Sequence, residues 1–375
     1  MTAARPPDPH LTALPVAKVP APTARSISAS VPEAWRNYPS FRMPVFPRFM
    51  PARHRPGLPA LEERCSARLA DLVGDAYDSR EALDAFLEYR TSLWSLLTYA
   101  SAREDRVELI CAWIDFLFSI DDVFAGASEA RIRELGLQDL CAVIDGRPAA
   151  TDTAYTRAFC LLRQRSLTLM PDGIWARYAH TLHGFLHTCR LEREIVQDIG
   201  ALDLPTYETH RNSSIGECCF PLLEFALGID LGQALRRLPE LRRLNVLVAR
   251  HWIGVNDLFS YRKELYSGDA MNEMQIALAD NGGDLQGAVD RVAATVRRTE
   301  AEFDRLAAHL RAGTAGGSSP LPAYLRALEE LIAGNLEWSY LTPRYNGRGH
   351  VWNGLTDAHV VLTPHRTLYL PHPPA

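Results

Sequence analysis

No stretch of 18 consecutive apolar residues occurs in this 375-residue sequence, so no membrane-spanning helix or stable membrane anchor is expected. Charge of one sign is not in excess. The 40 Lys and Arg stand against 45 Asp and Glu, a net charge of -5 with pI near 6.2, which gives no electrostatic footprint for nucleic acid or an anionic membrane. Cysteine is sparse: the seven (Cys65, Cys111, Cys141, Cys160, Cys189, Cys218, Cys219) are an odd number with no CxxC and no zinc-ribbon spacing. They read as small hydrophobes in a reducing, cytoplasmic setting. Met1–Pro22 is broken by proline and never builds the apolar run of a signal peptide. Alternating β-branched runs are confined to Val360–Leu362 and Thr367–Leu370, and no repeat of fixed period appears. GxSxG, HExxH and a glycine loop ending in GK[ST] are missing too.

What is present is a globular composition, 47% hydrophobic and 23% charged, in a chain long enough for one large domain or two modest ones. Thirteen of the 25 prolines lie before residue 60, and residues 1–40 read as a proline-rich, mobile leader ahead of a single domain over 41–375. Apolar residues at three- and four-residue spacing predict helices over 81–100, 105–124, 129–144, 153–168, 173–197, 205–228 with a break, 235–266, 285–311 and 321–341. The fold class is therefore all-α, a bundle of about ten helices, whose core is where facing helices build ligand and metal sites.

Two segments carry oxygen ligands. Asp121–Asp122 follow the apolar run CAWIDFLFSI, and read either as a solvated acidic turn or as the mouth of a cavity. In NDLFSYRKE, Asn256, Ser260 and Glu264 are four apart, so at 100° per residue all three project from one helix face. Amide, hydroxyl and carboxylate are hard ligands suited to Mg²⁺. Alone, the stripe also reads as an ordinary exposed face. Arg211, Lys263 and the pair Arg344–Tyr345 add cations, and carboxylates, a hard-oxygen stripe and separated guanidinium groups together describe a receptor for diphosphate. His180, His183 and His187 share one helix face but lack the Glu of a zinc motif, and read as a solvated or partly packed surface.

With these residues the sequence resembles the class I terpene synthases, specifically the microbial single-domain sesquiterpene cyclases of fungal type, over roughly residues 60–350. Asp121–Asp122 stand at the family's aspartate-rich motif with Trp113 and Phe118 upstream, and NDLFSYRKE fills its second metal motif. Arg211 lies 45 residues before Asn256, where the family keeps its diphosphate sensor, and Arg344–Tyr345 match the C-terminal RY pair, six residues after Trp338. Two positions depart from the family: Ala125 replaces a third acid and Asn212 a second arginine.

The resemblance implies a lyase that ionises a prenyl diphosphate, most simply C15 farnesyl diphosphate, and cyclises the carbocation to a sesquiterpene hydrocarbon or alcohol. It implies three Mg²⁺ ions, replaceable by Mn²⁺, held by Asp121, Asp122, Asn256, Ser260 and Glu264. The diphosphate would lie against Arg211, Lys263, Arg344 and Tyr345. An exposed carbonyl at Ile215 would polarise the reacting carbon, and the rings of Phe118 and Trp338, with Trp94 and Tyr99 behind them, would face the cation. The implied enzyme is a cytoplasmic monomer or homodimer. Alternatives are a silent isoprenoid-binding relative, suggested by Ala125, and a synthase using geranyl or geranylgeranyl diphosphate. A chain-elongating prenyl transferase would need a second acidic motif and a protonation-initiated cyclase would need DxDD; neither is present.

Overall fold

The computed structural model describes residues 35–46, 52–196, 203–211, 217–268, 271–313 and 320–372. Residues 1–34 of the leader lie outside them. In chain order the elements are β1 (Ser40–Arg42), α1 (Leu58–Val73), α2 (Arg80–Leu87), α3 (Thr91–Thr98), α4 (Glu104–Gly126), α5 (Glu129–Glu134), α6 (Leu140–Ile144), α7 (Ala154–Leu169) and α8 (Asp172–Val196). There follow α9 (Leu204–Arg211), α10 (Glu217–Leu227), α11 (Gly232–Arg237), α12 (Pro239–Ser267), α13 (Glu273–Asp280), α14 (Leu285–Gly313), α15 (Leu321–Leu341), α16 (Pro343–Asn346), β2 (His359–Leu362) and β3 (Thr367–Leu370). The class is all-α, with more and shorter helices than the periodicity predicts.

The differences have local causes. The helix expected over 81–100 is two, because Arg90 takes φ 56, the one non-glycine residue with positive φ among those described. That conformation costs about 1–2 kcal/mol, and tertiary contacts offset it: the Arg90 guanidinium forks onto Glu62 at 2.7 and 2.8 Å, and its carbonyl accepts the Trp338 indole N–H at 2.8 Å. Gly136, at φ 72, divides the expected 129–144 helix. Pro239, which has no N–H to donate, opens α12 at its first turn and separates it from α11. Helices α1 and α13 were not expected from the sequence.

Helix α4 is apolar nearly all round, as its sequence requires of a central helix. Trp113 and Phe116 are fully buried, each contributing about 1.5–3 kcal/mol. It packs against α1, α3, α7, α8 and α10, while α12 packs on α14, α15 and α16, and α3 on α15. A Cβ at Gly334 would come within 2.5 Å of the Leu97 backbone, so only glycine lets α15 lie this close to α3. The chain ends cover this bundle with a small antiparallel sheet in the order β1-β2-β3, registered by Ser40↔Val361 and Val360↔Tyr369. Its second and third strands include both short β-branched runs of the sequence.

Asp115 makes one testable contribution to stability. It is wholly buried on α4, accepts the Ser92 hydroxyl at 2.6 Å through Oδ2, and burial pushes its pKa up to about 7. Between its ordinary value and 7 the folded state therefore holds a proton that the unfolded chain has lost, so stability falls as pH rises across that window. Asp115→Asn should flatten the dependence, its melting temperature gaining on the wild type from pH 5 to pH 8. A constant difference across that range would contradict the assignment.

Candidate active site

An apolar cavity opens between α3, α4, α8, α10, α12, α15 and α16, walled by Trp94, Ile114, Phe118, Trp252 and Ile253, with Asp121, Asn256 and Tyr345 also lining it. Helical rise explains the depth. Ile114 and Asp121 are seven residues apart on α4, so the wall runs about 10 Å along the helix.

Two helices bring the polar groups to one end. On α4, Asp121 and Asp122 lie inside the last turns, with Ala125 one turn on and exposed, so α4 offers no carboxylate at that position. Arg344 Nη1 donates to Asp122 Oδ2 at 2.6 Å, and Arg344 Nη2 lies 3.6 Å from Asp121 Oδ2. Lys263 Nζ is 3.9 Å from Asp122 Oδ1. The Arg344 guanidinium also lies 5.3 Å from the ring centres of Tyr89 and Phe118, a cation–π arrangement. Burial works against the Arg344 charge, but Asp122, helped by Tyr345 and Asp121, outweighs it and the pKa is raised. Burial likewise opposes the Asp122 charge, and Arg344 and Lys263 nevertheless hold its pKa below the ordinary value. The RY pair lies in α16, capped by Thr342 Oγ1 accepting Arg344 N–H at 3.1 Å.

On α12, Asn256 links two other expected residues, Arg211 and Tyr345. Its Oδ1 accepts from Arg211 Nη2 at 2.9 Å, and its Nδ2 donates to the Tyr345 hydroxyl. Ser260 and Glu264, one and two turns further along, are both contacted by the Asn272 side-chain amide: Ser260 Oγ lies 3.4 Å from it and Glu264 Oε2 accepts from it. Asn272 Oδ1 in turn caps α13 by accepting Met274 N–H at 2.7 Å. Asp257 is buried and accepts from the Tyr207 hydroxyl, from Glu273 N–H at 2.7 Å and from Arg211 at 3.4 Å, so it helps to fix Arg211. Asp257, Asn272 and Trp252 are site residues that sequence reasoning missed. Asp257 sits inside NDLFSYRKE; Asn272, eight residues beyond Glu264, carries no comparable signal.

The aromatic residues divide. Phe118 and Trp94 line the cavity, with ring centres 6.1 Å apart. Trp338 is not among the lining residues; it packs behind Phe118 at 5.7 Å and against Tyr345 at 5.2 Å. Tyr99 lies behind Trp94 and donates its hydroxyl to the Cys219 carbonyl at 3.1 Å. Ile215 and Asn212 lie outside the described residues. His183 bonds to Asp145 at 2.9 Å on an exposed face, away from the cavity.

The donor set fits a divalent cation of a particular kind. Among the described residues no three His, Cys, Asp or Glu side chains gather as a protein cage; the protein instead offers Asp121, Asp122 and the Asn256, Ser260, Glu264 stripe. Such incomplete hard-oxygen sites suit Mg²⁺, which keeps water and substrate phosphate among its ligands.

The family model for terpene synthase family 2, C-terminal metal binding, matches residues 112–302, which span both oxygen-bearing helices. Among curated proteins the chain is similar to alpha-muurolene synthase of Coprinopsis cinerea, 28% identical over 66% of this chain and 60% of that one. It is also similar to pristinol synthase of Streptomyces pristinaespiralis, 29% identical over 71% and 78%. A third relative is the (2E,6E)-farnesyl diphosphate-cyclizing (+)-T-muurolol synthase of Roseiflexus castenholzii, 27% identical over 74% and 86%. Among solved structures the fold is that of linalool/nerolidol synthase from Streptomyces clavuligerus, with TM-score 0.66 and 21% identity over 78% of this chain and all of that one. The 2-methylisoborneol synthase of Streptomyces coelicolor, in complex with Mg²⁺ and 2-fluoroneryl diphosphate, gives TM-score 0.69 and 19% identity over 80% and 98%. Fold, family model and the pairing of acidic and amide helices over one cavity agree: the chain belongs to the class I terpene synthases of terpene synthase family 2.

Proposed function

We propose that this chain is a Mg²⁺-dependent terpene synthase that ionises farnesyl diphosphate and cyclises the resulting cation, releasing diphosphate. The observation that carries the reading is the meeting of Asp121, Asn256 and Tyr345 over an apolar cavity walled by Trp94, Phe118 and Trp252, a charged receptor set directly above a place for hydrocarbon. The C15 chain length follows from the sesquiterpene synthases among its relatives, one of which is named for farnesyl diphosphate.

Asp121 and Asp122 on one helix, with Asn256, Ser260 and Glu264 on the other, would hold Mg²⁺, which when bound neutralises the diphosphate and makes it a leaving group. Arg344 and Lys263, now on Asp122, and Arg211, now on Asn256, turn to the phosphate oxygens. Tyr345 donates a hydrogen bond there through its hydroxyl; its pKa is raised, chiefly by burial, so the hydroxyl stays protonated. Phe118, Trp94 and Trp252 then face the cation with their π clouds, and the apolar walls exclude bulk water. The test is incubation with C10, C15 and C20 prenyl diphosphates plus Mg²⁺, following diphosphate release and volatile products. The C15 substrate should be turned over with kcat/KM at least about tenfold above the others, a margin of about 1.4 kcal/mol; preference for C10 or C20 would overturn the chain length, and turnover of none would overturn the reading.

A further inference from the structure

Among the described residues, the cavity has one polar side chain that the diphosphate receptor does not use. Asn335 lies on α15, lines the cavity and is 7% exposed. Its Oδ1 accepts the Trp94 indole N–H at 2.9 Å. An indole N–H can only donate, so this bond fixes the amide orientation, with the oxygen on Trp94 and the NH₂ away from it. That Nδ2 has no hydrogen-bond partner among the described residues. The close approach of α15 to α3 at Gly334, next to Asn335, is what brings the amide to Trp94. Trp94 in turn packs on Phe118 and, at 5.6 Å, on Trp252. Trp252 is one helical turn before Asn256, so the amide belongs to the aromatic level of the cavity, below the receptor.

A buried amide donor left without a partner is destabilising, and here it has a further consequence. Its N–H is the positive end of a dipole, which disfavours a carbocation beside it. An oxygen lone pair placed on that N–H satisfies the donor and reverses the effect, because a second lone pair is left to face the cation. Water supplies both pairs, and the Trp94 and Trp252 ring faces and the Cys218 and Cys219 sulfurs lining the same cavity are weak acceptors for its protons.

We propose that Asn335 is a positioning residue that holds one water among the cavity aromatics, and that the chain therefore makes a terpene alcohol. This rests on the terpene synthase reading above and specifies its product class. In the terminating step a water lone pair forms a C–O bond to the cationic carbon, and the oxonium loses one O–H proton to the diphosphate released at the mouth; no C–H bond breaks. Without the water the cation ends by losing a C–H proton and gives a hydrocarbon.

The experiment is turnover of farnesyl diphosphate with Mg²⁺ in H₂¹⁸O, with alcohol and hydrocarbon quantified by mass spectrometry per diphosphate released. The wild type should give mainly alcohol carrying ¹⁸O. Asn335→Leu, similar in volume but unable to donate, should lower the alcohol-to-hydrocarbon ratio at least tenfold. Asn335→Ser, which keeps a donor, should retain part of the alcohol, and Trp94→Phe, which releases the amide, should lower the ratio at full folding. A wild type that yields only hydrocarbon, or a ratio unmoved in Asn335→Leu, overturns the proposal while leaving the synthase reading intact. If Asn335→Leu fails to fold, the ratio in Asn335→Ser and Trp94→Phe decides, and an unmoved ratio in both overturns it. Failure of the wild type to release diphosphate from any prenyl substrate removes the synthase reading and the proposal with it.

Discussion

Replacing Glu264 by glutamine should lower turnover of the prenyl diphosphate by about 10³-fold, a loss of about 4 kcal/mol of transition-state stabilisation, with the fold retained. Glu264 is the only anionic member of the Asn256, Ser260, Glu264 stripe, so its charge is what a divalent cation there would lose. Glutamine keeps the volume and a carbonyl oxygen for the Asn272 amide that now contacts Oε2. The melting temperature should therefore stay within about 3 °C of the wild type, a stability change of less than about 1 kcal/mol. Steady-state kinetics beside thermal melting checks both halves. Near-wild-type turnover would make the stripe a packed polar seam between α12 and α13.

Arg344→Lys should lower kcat by about 10²-fold while weakening Mg²⁺-dependent binding of inorganic diphosphate only a few-fold. Arg344 now forks toward both Asp122 and Asp121 and stacks between Tyr89 and Phe118. A metal bound by those carboxylates competes with it, and the displaced guanidinium is already at the cavity mouth to meet the leaving oxygens. Lysine keeps the charge but loses the planar fork and the stacking, so the loss falls on the geometry of the departing diphosphate more than on its ground-state attraction. Equal effects on kcat and binding would place Arg344 in uniform electrostatic attraction, and no effect on either would place it outside the site.

The sequence was most legible where chemistry and periodicity coincide. Asn256, Ser260 and Glu264 could be put on one face because four-residue spacing fixes it, and α12, α14 and α15 follow their apolar stripes to within a few residues. It was least legible where a distant contact decides. Nothing near Arg90 announces a left-handed residue, since Glu62 and the Trp338 indole stabilise it from elsewhere. Trp338 reads as a cavity ring until α15 is seen to turn it behind Phe118, and Trp252, which belongs to no motif, is placed on the cavity wall only by the packing of α12. Asp257, buried between Tyr207, Arg211 and Glu273 N–H, and Asn272, spanning Ser260 and Glu264, hold the receptor in shape through partners on α9 and at the start of α13. No local pattern encodes such partners.

The most direct test of the account is diphosphate release from farnesyl diphosphate by the purified chain, measured with Mg²⁺, with excess chelator, and with Mg²⁺ restored. If the proposed site is right, the charge on the leaving group must be neutralised before the allylic bond can break, and Arg211, Lys263 and Arg344 alone would not replace a metal held by Asp121, Asp122 and the α12 stripe. Release with volatile terpene is expected in the first and third conditions, and loss of both under chelation. Undiminished release and product in excess chelator would contradict the account.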